Sequence, residues 1–453
     1  MPAGSHMVRG RNGDEVRMRA NGRPADVHIA GRGMDIHHGL DGSRRVSMER
    51  ADHSRVVFDR RGRGYVQHPY MYRGHEFAHR TYYRNGRMYD HFYRRYPYHG
   101  VYVEAYAPAV YYRPAFYGWV YNPWPAPVAF SWGFAATPWY GFYGGYFAPY
   151  PVYASAPLWL TDYLVSQSLA DAYQAQLAAQ QAQAAASGNP PAPLTPEVKQ
   201  EIADEVQRQI ALENQGATMN AQGNEPDPSS TSIQRMLSDG IQHIFVAGSN
   251  LDVTDANGNE CTVGEGDALQ LTGPPAPDAT AATLVMLSTK GGVECAKGDT
   301  VSVGFADLQD MQNHMRETID AGMGTLQSDQ GKGGLPTVPP SASAPPVKSD
   351  FAASAPPPDQ DAGNQIDQEG QSANQAEQEA VSQTTQDNGA AAAPAPVPAP
   401  AAAPQTISLG ETVDQVTAAM GQPQKIVDLG TKKIYVYSDM KVTFKSGKVS
   451  DVQ

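Results

Sequence analysis

The sequence predicts a mainly β, multi-domain chain with helices set between its β parts. Three observations carry that class. Turn pairs recur about every ten residues near the start. A strand-and-turn pattern repeats around the only two cysteines, and Pro/Ala/Gln-rich sequence separates the last 47 residues from the rest. The 453 residues carry a net charge of −13, but the first 100 hold 19 Arg, no Lys and 10 acidic residues, a local charge of +9, which leaves −22 on the remainder. With 43 Gly and 36 Pro, this composition excludes one large compact enzyme domain and fits neither a disulfide-dense mini-protein, a collagen nor a helical membrane protein. The opening MPAGSHMVRGRNGDE has no apolar stretch and so no signal peptide as written. Gly4-Ser5-His6-Met7 reads like a cloning scar, and a missing or mis-assigned start is the favoured expectation.

Residues 13–68 read as an Arg/His-rich antiparallel β meander. Short alternating runs such as Val16-Arg-Met18, Val27-His-Ile29 and Val46-Ser-Met48 lie between turn pairs such as Asn21-Gly22, Asp41-Gly42 and Asp52-His53. One face is apolar and the other is Arg and His. Such a face could grip phosphate, sulfate or carboxylate, and a nucleic-acid binder using this block is kept as a second alternative. No phosphate loop or nucleic-acid motif accompanies the charge, so a solvated face is the plainer expectation.

Residues 69–157 form an aromatic, Tyr/Trp/Gly/Pro-rich block expected to be irregular. Between positions 65 and 163 lie 21 of the 24 Tyr, 7 of the 12 Phe and all 5 Trp, and nothing between Arg113 and Asp162 is charged. Recurring prolines exclude a transmembrane helix, which needs about 20 continuous apolar residues. The block is expected to pack as an aromatic core. If it instead presents a glycan- or protein-binding face, Trp119, Trp124, Trp132, Trp139, Tyr140, Tyr143 and Tyr146 are the candidates.

The run His75-Glu76-Phe77-Ala78-His79 matches the H-E-x-x-H zinc pattern, in which two His one helical turn apart bind metal and the Glu is the base. It supplies the first alternative function, a zinc metallopeptidase with His75 and His79 as ligands and Glu76 as catalyst. Gly74 before it and Asn85-Gly86 after it predict a hairpin instead, and an extended strand would hold the two His about 13 Å apart. No metal or other cofactor is expected.

Residues 158–214 read as a helical segment. A second helix within it is capped by Thr195, with Pro196 at its first position, and carries a one-residue-wide stripe of Val198, Ile202, Val206 and Ile210. That stripe predicts coiled-coil self-association or docking on a neighbour.

Residues 231–326 predict a small pseudo-twofold β-barrel with a C-terminal helix from Asp307. Glu260-Cys261…Gly264…Asp267 is echoed by Glu294-Cys295…Gly298-Asp299. The matched positions of Cys261 and Cys295 predict a disulfide, preferred over two buried thiols, and hence an oxidising compartment. Asp267 and Asp299 are expected to serve backbone N–H groups of their turns rather than a metal.

Residues 327–405 read as a disordered Pro/Ala/Gln linker. Beyond it, Leu409-Gly410-Glu-Thr412-Val413, Met420-Gly421-Gln-Pro423, Ile434-Tyr-Val-Tyr437 and Val442-Thr-Phe444…Gly447-Lys-Val449 make residues 406–453 resemble the SmpA/OmlA-like family of small α+β cell-envelope domains. The resemblance implies a non-enzymatic interaction module at the outer membrane or periplasm and transfers no catalytic residue. The aromatic block also looks like exported bacterial proteins rich in Tyr-Gly-Trp. The expectation is therefore a non-enzymatic exported cell-envelope or surface protein with a structural, adhesive or binding role, in the periplasm, outer membrane or outside the cell. Its expected partners are envelope proteins or cell-wall polysaccharide, not nucleic acid.

Overall fold

A computed structural model describes residues 1–84, 86–179, 188–224 and 226–391, and beyond these 412–413, 416–417, 423, 425–428, 432–437, 441–445 and 448–452. The chain forms two units, Met1–Gly389 and Ala390–Gln453. Within the described residues it is largely β, with helices.

One turn, used repeatedly, builds the first part of the structure. At 10–14, 19–23, 39–43, 50–54 and 59–63 the first residue's N–H donates to the carbonyl of the fifth, and the fourth residue's N–H donates back to the carbonyl of the first. Gly13, Gly22, Gly42 and Gly62 hold positive φ at the fourth position, where glycine is unstrained; His53 holds it in the remaining copy. These turns join β1 (His6–Arg9), β2 (Glu15–Met18), β3 (Pro24–Ile29), β4 (Met34–His38), β5 (Arg44–Glu49), β6 (Arg55–Asp59) and β7 (Gly64–Tyr72), with a 3-10 turn between β3 and β4. The grammar then changes to longer strands, β8 (His75–Arg84), β9 (Arg87–Tyr98) and β10 (Val101–Ala107), joined at Arg73-Gly74 and His99-Gly100 with both residues at positive φ. All ten strands make one antiparallel sheet in sequence order. The meander expected to end near residue 68 therefore runs through nearly half of the aromatic block, to Ala107, because Tyr, Phe and Arg at alternate positions suit a pleated surface.

The alternation gives the sheet two unlike faces. Val16, Val27, Met34, Ile36, Val46, Val56, Phe58 and Val66 are buried on one of them. Their cover is α8 (Ala362–Ala391), which lays Ala362, Ile366, Ala373, Ala376 and Ala380 on the sheet. Upstream of α8, a short helix, α7 (Asp350–Ala353), stacks Phe351 on Phe77 of β8. This corrects the expected disordered linker over its described portion. A helix of small residues looks coreless in sequence, yet an alanine stripe lets its backbone approach the β-branched sheet face closely. Residues 392–405 of the expected linker lie outside the described residues.

After the sheet come α1 (Pro114–Tyr121), α2 (Pro138–Tyr143), α3 (Ala156–Ala179), α4 (Pro196–Ala221) and α5 (Ile233–Met236). The stripe of α4 is buried against α1 and α3 of the same chain, so the expected self-association face is already covered. A six-stranded antiparallel sheet follows: β11 (Ile244–Val246), β12 (Leu251–Asp255), β13 (Glu260–Val263), β14 (Ala268–Leu271), β15 (Ala281–Met286) and β16 (Thr300–Gly304), in the order β11-β14-β15-β16-β12-β13. No closed barrel forms among the described residues, correcting the expected pseudo-twofold barrel. The second Glu-Cys copy makes only an isolated bridge, Thr262 to Glu294, because Gly291 and Gly292 at positive φ turn their segment toward Asn189 and Ala192. Cys261 and Cys295 are nevertheless joined as a disulfide, with Cα atoms 5.0 Å apart. The helix α6 (Phe305–Ser328) then packs against both sheets.

In the second unit, β17 (Lys425–Asp428), β18 (Lys432–Val436), β19 (Lys441–Lys445) and β20 (Lys448–Val452) form an antiparallel meander, with Val416, Tyr437, Val442, Phe444 and Val449 as its core. Most of the helix expected from Thr412 to Met420, and the Gly421 exit, lie outside the described residues.

Candidate binding cleft

The second face of the ten-stranded sheet is polar and ordered in rungs. Across β2 to β6 one rung reads Arg17, Asp26, His37, Arg45, Asp59; across β6 to β9 another reads Arg55, Gln67, Arg80, His91. Helix α6 lies against this face. Its Asn313 accepts from the Tyr106 N–H (2.8 Å) and donates to the Glu104 carbonyl (2.7 Å), and Arg316 donates to the Tyr106 carbonyl (2.5 Å). The helix thereby satisfies the backbone of the edge strand β10, which would otherwise invite pairing with another chain. One helical turn on, Glu317 accepts from Tyr93 (2.5 Å) and pairs with His91 (3.2 Å). Arg80, buried under these groups, pairs with Glu104 (2.6 Å) and lies 3.8 Å from the Tyr93 ring centroid.

Most of the sheet's arginines are neutralised within the chain. Arg17 pairs with Asp26 and Glu260; Arg19 pairs with Glu260 (2.7 Å) and Asp252 (2.8 Å) of the six-stranded sheet. On the other face Arg44 and Arg50 pair with Glu377 and Glu369 of α8, and on the same face as Arg80, Arg84 pairs with Asp171 of α3. The positive head and negative body are complementary surfaces of one unit. The basic face expected as a nucleic-acid alternative is consequently engaged by carboxylates.

Two groups on the rung titrate abnormally for visible reasons. Against the desolvation of its ring, hydrogen bonds that it donates to Asp252 and Asp26 hold His37 up at about 9. Against its own burial, His37 and Arg17 hold Asp26 down to about 2. Arg45 is different. No ion pair or hydrogen bond engages its guanidinium among the described residues; its rung neighbour His37 is itself cationic, and Asp59 is taken by Arg63 (2.7 Å). Against desolvation, attraction to Tyr65 and to Asp310 and Asp307, one turn apart on α6, raises Arg45, and neither carboxylate has an ion pair or hydrogen bond among the described residues. Burial raises both carboxyls; repulsion from Asp310 adds to it at Asp307, and repulsion from Glu104 and Glu317 adds to it at Asp310. Beside Arg45 opens a cavity of about 290 Å³, lined by Arg17, Asp26, His37, Arg45 and Ser47 among others.

The zinc pattern does not assemble. His75, Glu76 and His79 lie on β8, where alternate side chains leave by opposite faces. His79 is buried, stacked on Phe92 and 3.4 Å from Asp90, whereas Glu76 turns the other way to Arg95 (2.9 Å) and His75 is exposed at the strand's start. Among the described residues no group of three or more His, Cys, Asp or Glu is arranged to hold a metal ion. Ser168 Oγ lies 2.9 Å from His314 Nε2, but that hydroxyl donates to the Leu164 carbonyl of its own helix and is buried.

The aromatic candidates are interior or lie against the interior. Trp124, Tyr143 and Tyr146 are buried; Trp119, Trp132, Trp139 and Tyr140 are half-buried and pack on the same core. Trp132 stacks on Trp159 with centroids 5.2 Å apart, and the Tyr146 hydroxyl donates to Asp267 Oδ1 (3.2 Å). Next to Tyr146, Lys290 bridges Asp267 (2.6 Å) and Glu294 (3.0 Å). The Asp267 and Asp299 carboxylates each accept a backbone N–H of their turns, from Gly264 (2.8 Å) and Ala296 (2.7 Å).

Sequence reasoning did not single out Arg45, Asp307 or Asp310. The i, i+3 spacing of two carboxylates on an expected helix was the available signal. No family model, curated protein or solved structure matches this chain.

Proposed function

We propose that this chain is a non-enzymatic binding or structural protein of the bacterial cell envelope or cell surface, working in an oxidising compartment. The observation that carries the reading is the Cys261–Cys295 pair, the only cysteines in the sequence, set at disulfide geometry where the two Glu-Cys copies meet. Supporting it, residues 406–453 resemble SmpA/OmlA-like envelope domains. Their described part is a four-stranded antiparallel sheet, and the Ala/Pro-rich stretch ahead of it has the composition of a spacer. In this reading the first unit is a rigid body with a cleft for a ligand, and the second is a module for an envelope partner. The partners proposed are envelope proteins or cell-wall polysaccharide.

The test is a thiol count on full-length protein recovered from its native cells under alkylating, non-reducing conditions, together with fractionation. Both cysteines protected from alkylation, with the protein in envelope fractions and retained on isolated cell wall, is the expected result. Two freely alkylated thiols in a cytosolic fraction would sink the proposal.

A further inference from the structure

We infer that Lys290 and Asp267 condense to an intramolecular isopeptide bond, with Glu294 as the proton relay. The inference goes beyond the envelope reading and does not depend on it. Its basis is a pair of groups in contact in a closed site. Lys290 Nζ lies 2.6 Å from Asp267 Oδ1, so the carboxyl carbon is one bond further on, and the Asp267 side chain is wholly buried. Glu294 Oε1 stands 3.0 Å from the same Nζ. Its other oxygen accepts from the Lys290 N–H (2.5 Å) and the Thr289 hydroxyl (2.9 Å), which aims the carboxylate at the amine. Asp267 Oδ2 accepts the Gly264 N–H (2.8 Å), and the Tyr146 hydroxyl lies 3.2 Å from Oδ1, backed by Ser288 Oγ at 2.9 Å. Position 264 must be glycine, since a β-carbon there would stand 2.0 Å from Glu294 Oε1 and 2.7 Å from Lys290 Nζ. The chain also holds a comparison. Lys199 touches Asp162 at the same 2.6 Å, but its other partner is the Ala148 carbonyl, far too weak a base to take a proton, whereas Lys290 has a second carboxylate on its amine.

The step needs no oxidant, reductant or cofactor. The ammonium passes a proton to Glu294, and the freed lone pair of Nζ forms the C–N bond to the Asp267 carboxyl carbon. The Gly264 N–H steadies the negative charge that gathers on Oδ2. The C–O bond to Oδ1 then breaks, and that oxygen leaves as water. Of the three ammonium protons one stays on the amide nitrogen and two depart with the water, delivered by Glu294 and the Tyr146 hydroxyl, both of which end as they began. Contact turns a bimolecular condensation into a first-order one, equivalent to an effective molarity of about 10⁵ M or more. Burial supplies the drive. It raises the Asp267 carboxyl and opposes the Lys290 ammonium, which Asp267 and Glu294 hold up, and a neutral amide relieves the cost of keeping these charges out of water. The link ties the turn before β14 to the loop that carries Cys295 beside Glu294, so two covalent bonds hold that loop and a reductant opens only one.

Mass spectrometry of the full chain, denatured and with its disulfide reduced, tests this. The expected result is a mass one water below that of the sequence, with Asp267 and Lys290 recovered in one branched peptide after chymotryptic digestion. Lys290→Arg and Asp267→Ala should each carry their full sequence mass. A water lost as a succinimide at Asp41-Gly42 or Asp239-Gly240 would survive both substitutions. Glu294→Gln keeps a hydrogen-bonding side chain beside the amine but cannot take its proton, and should leave most of the protein unlinked. The Lys199–Asp162 pair should stay unlinked throughout. A cooperative thermal transition in each variant separates loss of the reaction from loss of the fold, and the parent's mass and branched peptide decide the matter even where a variant fails to fold. Full sequence mass in the folded parent overturns the inference, as does a water deficit that Lys290→Arg leaves in place, and full linkage in Glu294→Gln overturns the relay.

Discussion

Lys199 Nζ lies 2.6 Å from Asp162 Oδ1, and both side chains are buried. These are, respectively, the first lysine in the chain and the first charged residue after Arg113. The ammonium also donates to the Ala148 carbonyl and sits 3.7 Å from the Tyr150 ring centroid, while Asp162 accepts from the Tyr150 N–H and the Tyr153 hydroxyl. Desolvation raises the carboxyl and lowers the ammonium, so the pair holds its charges only because each has the other and further hydrogen bonds. Removing one partner should therefore be severe. Asp162→Asn or Lys199→Met is expected to cost about 3–5 kcal/mol in denaturant unfolding, with much of that recovered when both are replaced by apolar residues of similar size. A loss below 1 kcal/mol in either single variant, on the order of an exposed pair, would show that the pair is solvated.

His53 occupies the one position in five copies of the sheet's turn where glycine is missing. A β-carbon at φ 62° is strained, and His53 recovers only an exposed contact to Glu49. His53→Gly should raise stability by up to about 1 kcal/mol. Thermal unfolding checks this, and a lowered transition temperature would mean the Glu49 contact outweighs the strain.

If α8 is part of the folded unit, truncating its one large buried aliphatic, Ile366, must be felt. Ile366→Ala is expected to cost about 2–4 kcal/mol. Glu377→Ala, which leaves Arg44 and His38 without their partner, should cost about 1–3 kcal/mol. Unchanged unfolding in both variants is what a detached linker would give.

Stability should decline as pH rises from the carboxylate range toward 9. Glu265 is buried at the meeting of two sheets and α3 without a carboxyl partner among the described residues, and burial pushes it up to about 8 despite Arg63, Arg84 and Lys290. A raised folded value means that its contribution is present below the ordinary 4.5 and is lost as pH climbs through 8. His37, raised from 6.5 to about 9, acts with the same sign over that higher window. Glu265→Gln should flatten the curve up to about pH 8, and His37→Gln should flatten it between 6.5 and 9. Parallel pH profiles for both variants and the parent would contradict the assignment.

Reducing the Cys261–Cys295 bond, which closes a sequence separation of 34, should cost about 3–4 kcal/mol. Unfolding of a double Cys→Ala variant measures it without a reductant.

The elements whose cause is local were legible in the sequence. Asn-Gly and Asp-Gly pairs at regular intervals gave the turns of β1 to β7, Thr195 and Pro196 marked the start of α4, and the matched Glu-Cys copies indicated which thiols meet. Gly74 and the alternation after it made His75-Glu76-x-x-His79 a strand rather than a metal helix. Each of these follows from backbone conformation or from a two- or four-residue period, which the order of residues already contains.

What only the tertiary structure decided is what each face meets. Nothing local in the alanines of α8 says that they cover Val46 and Phe58; small side chains gain their energy from a surface supplied by another segment. Nor does an Arg-rich stretch disclose that Asp252, Glu260, Glu369 and Glu377, hundreds of residues later, neutralise it. The sequence determined by itself that the chain begins as a basic, two-faced sheet. The fold decided that both faces are engaged by the acidic remainder, with Arg45, Asp307 and Asp310 left without an ion pair among the described residues, because charge pairing depends on distance in space and not along the chain.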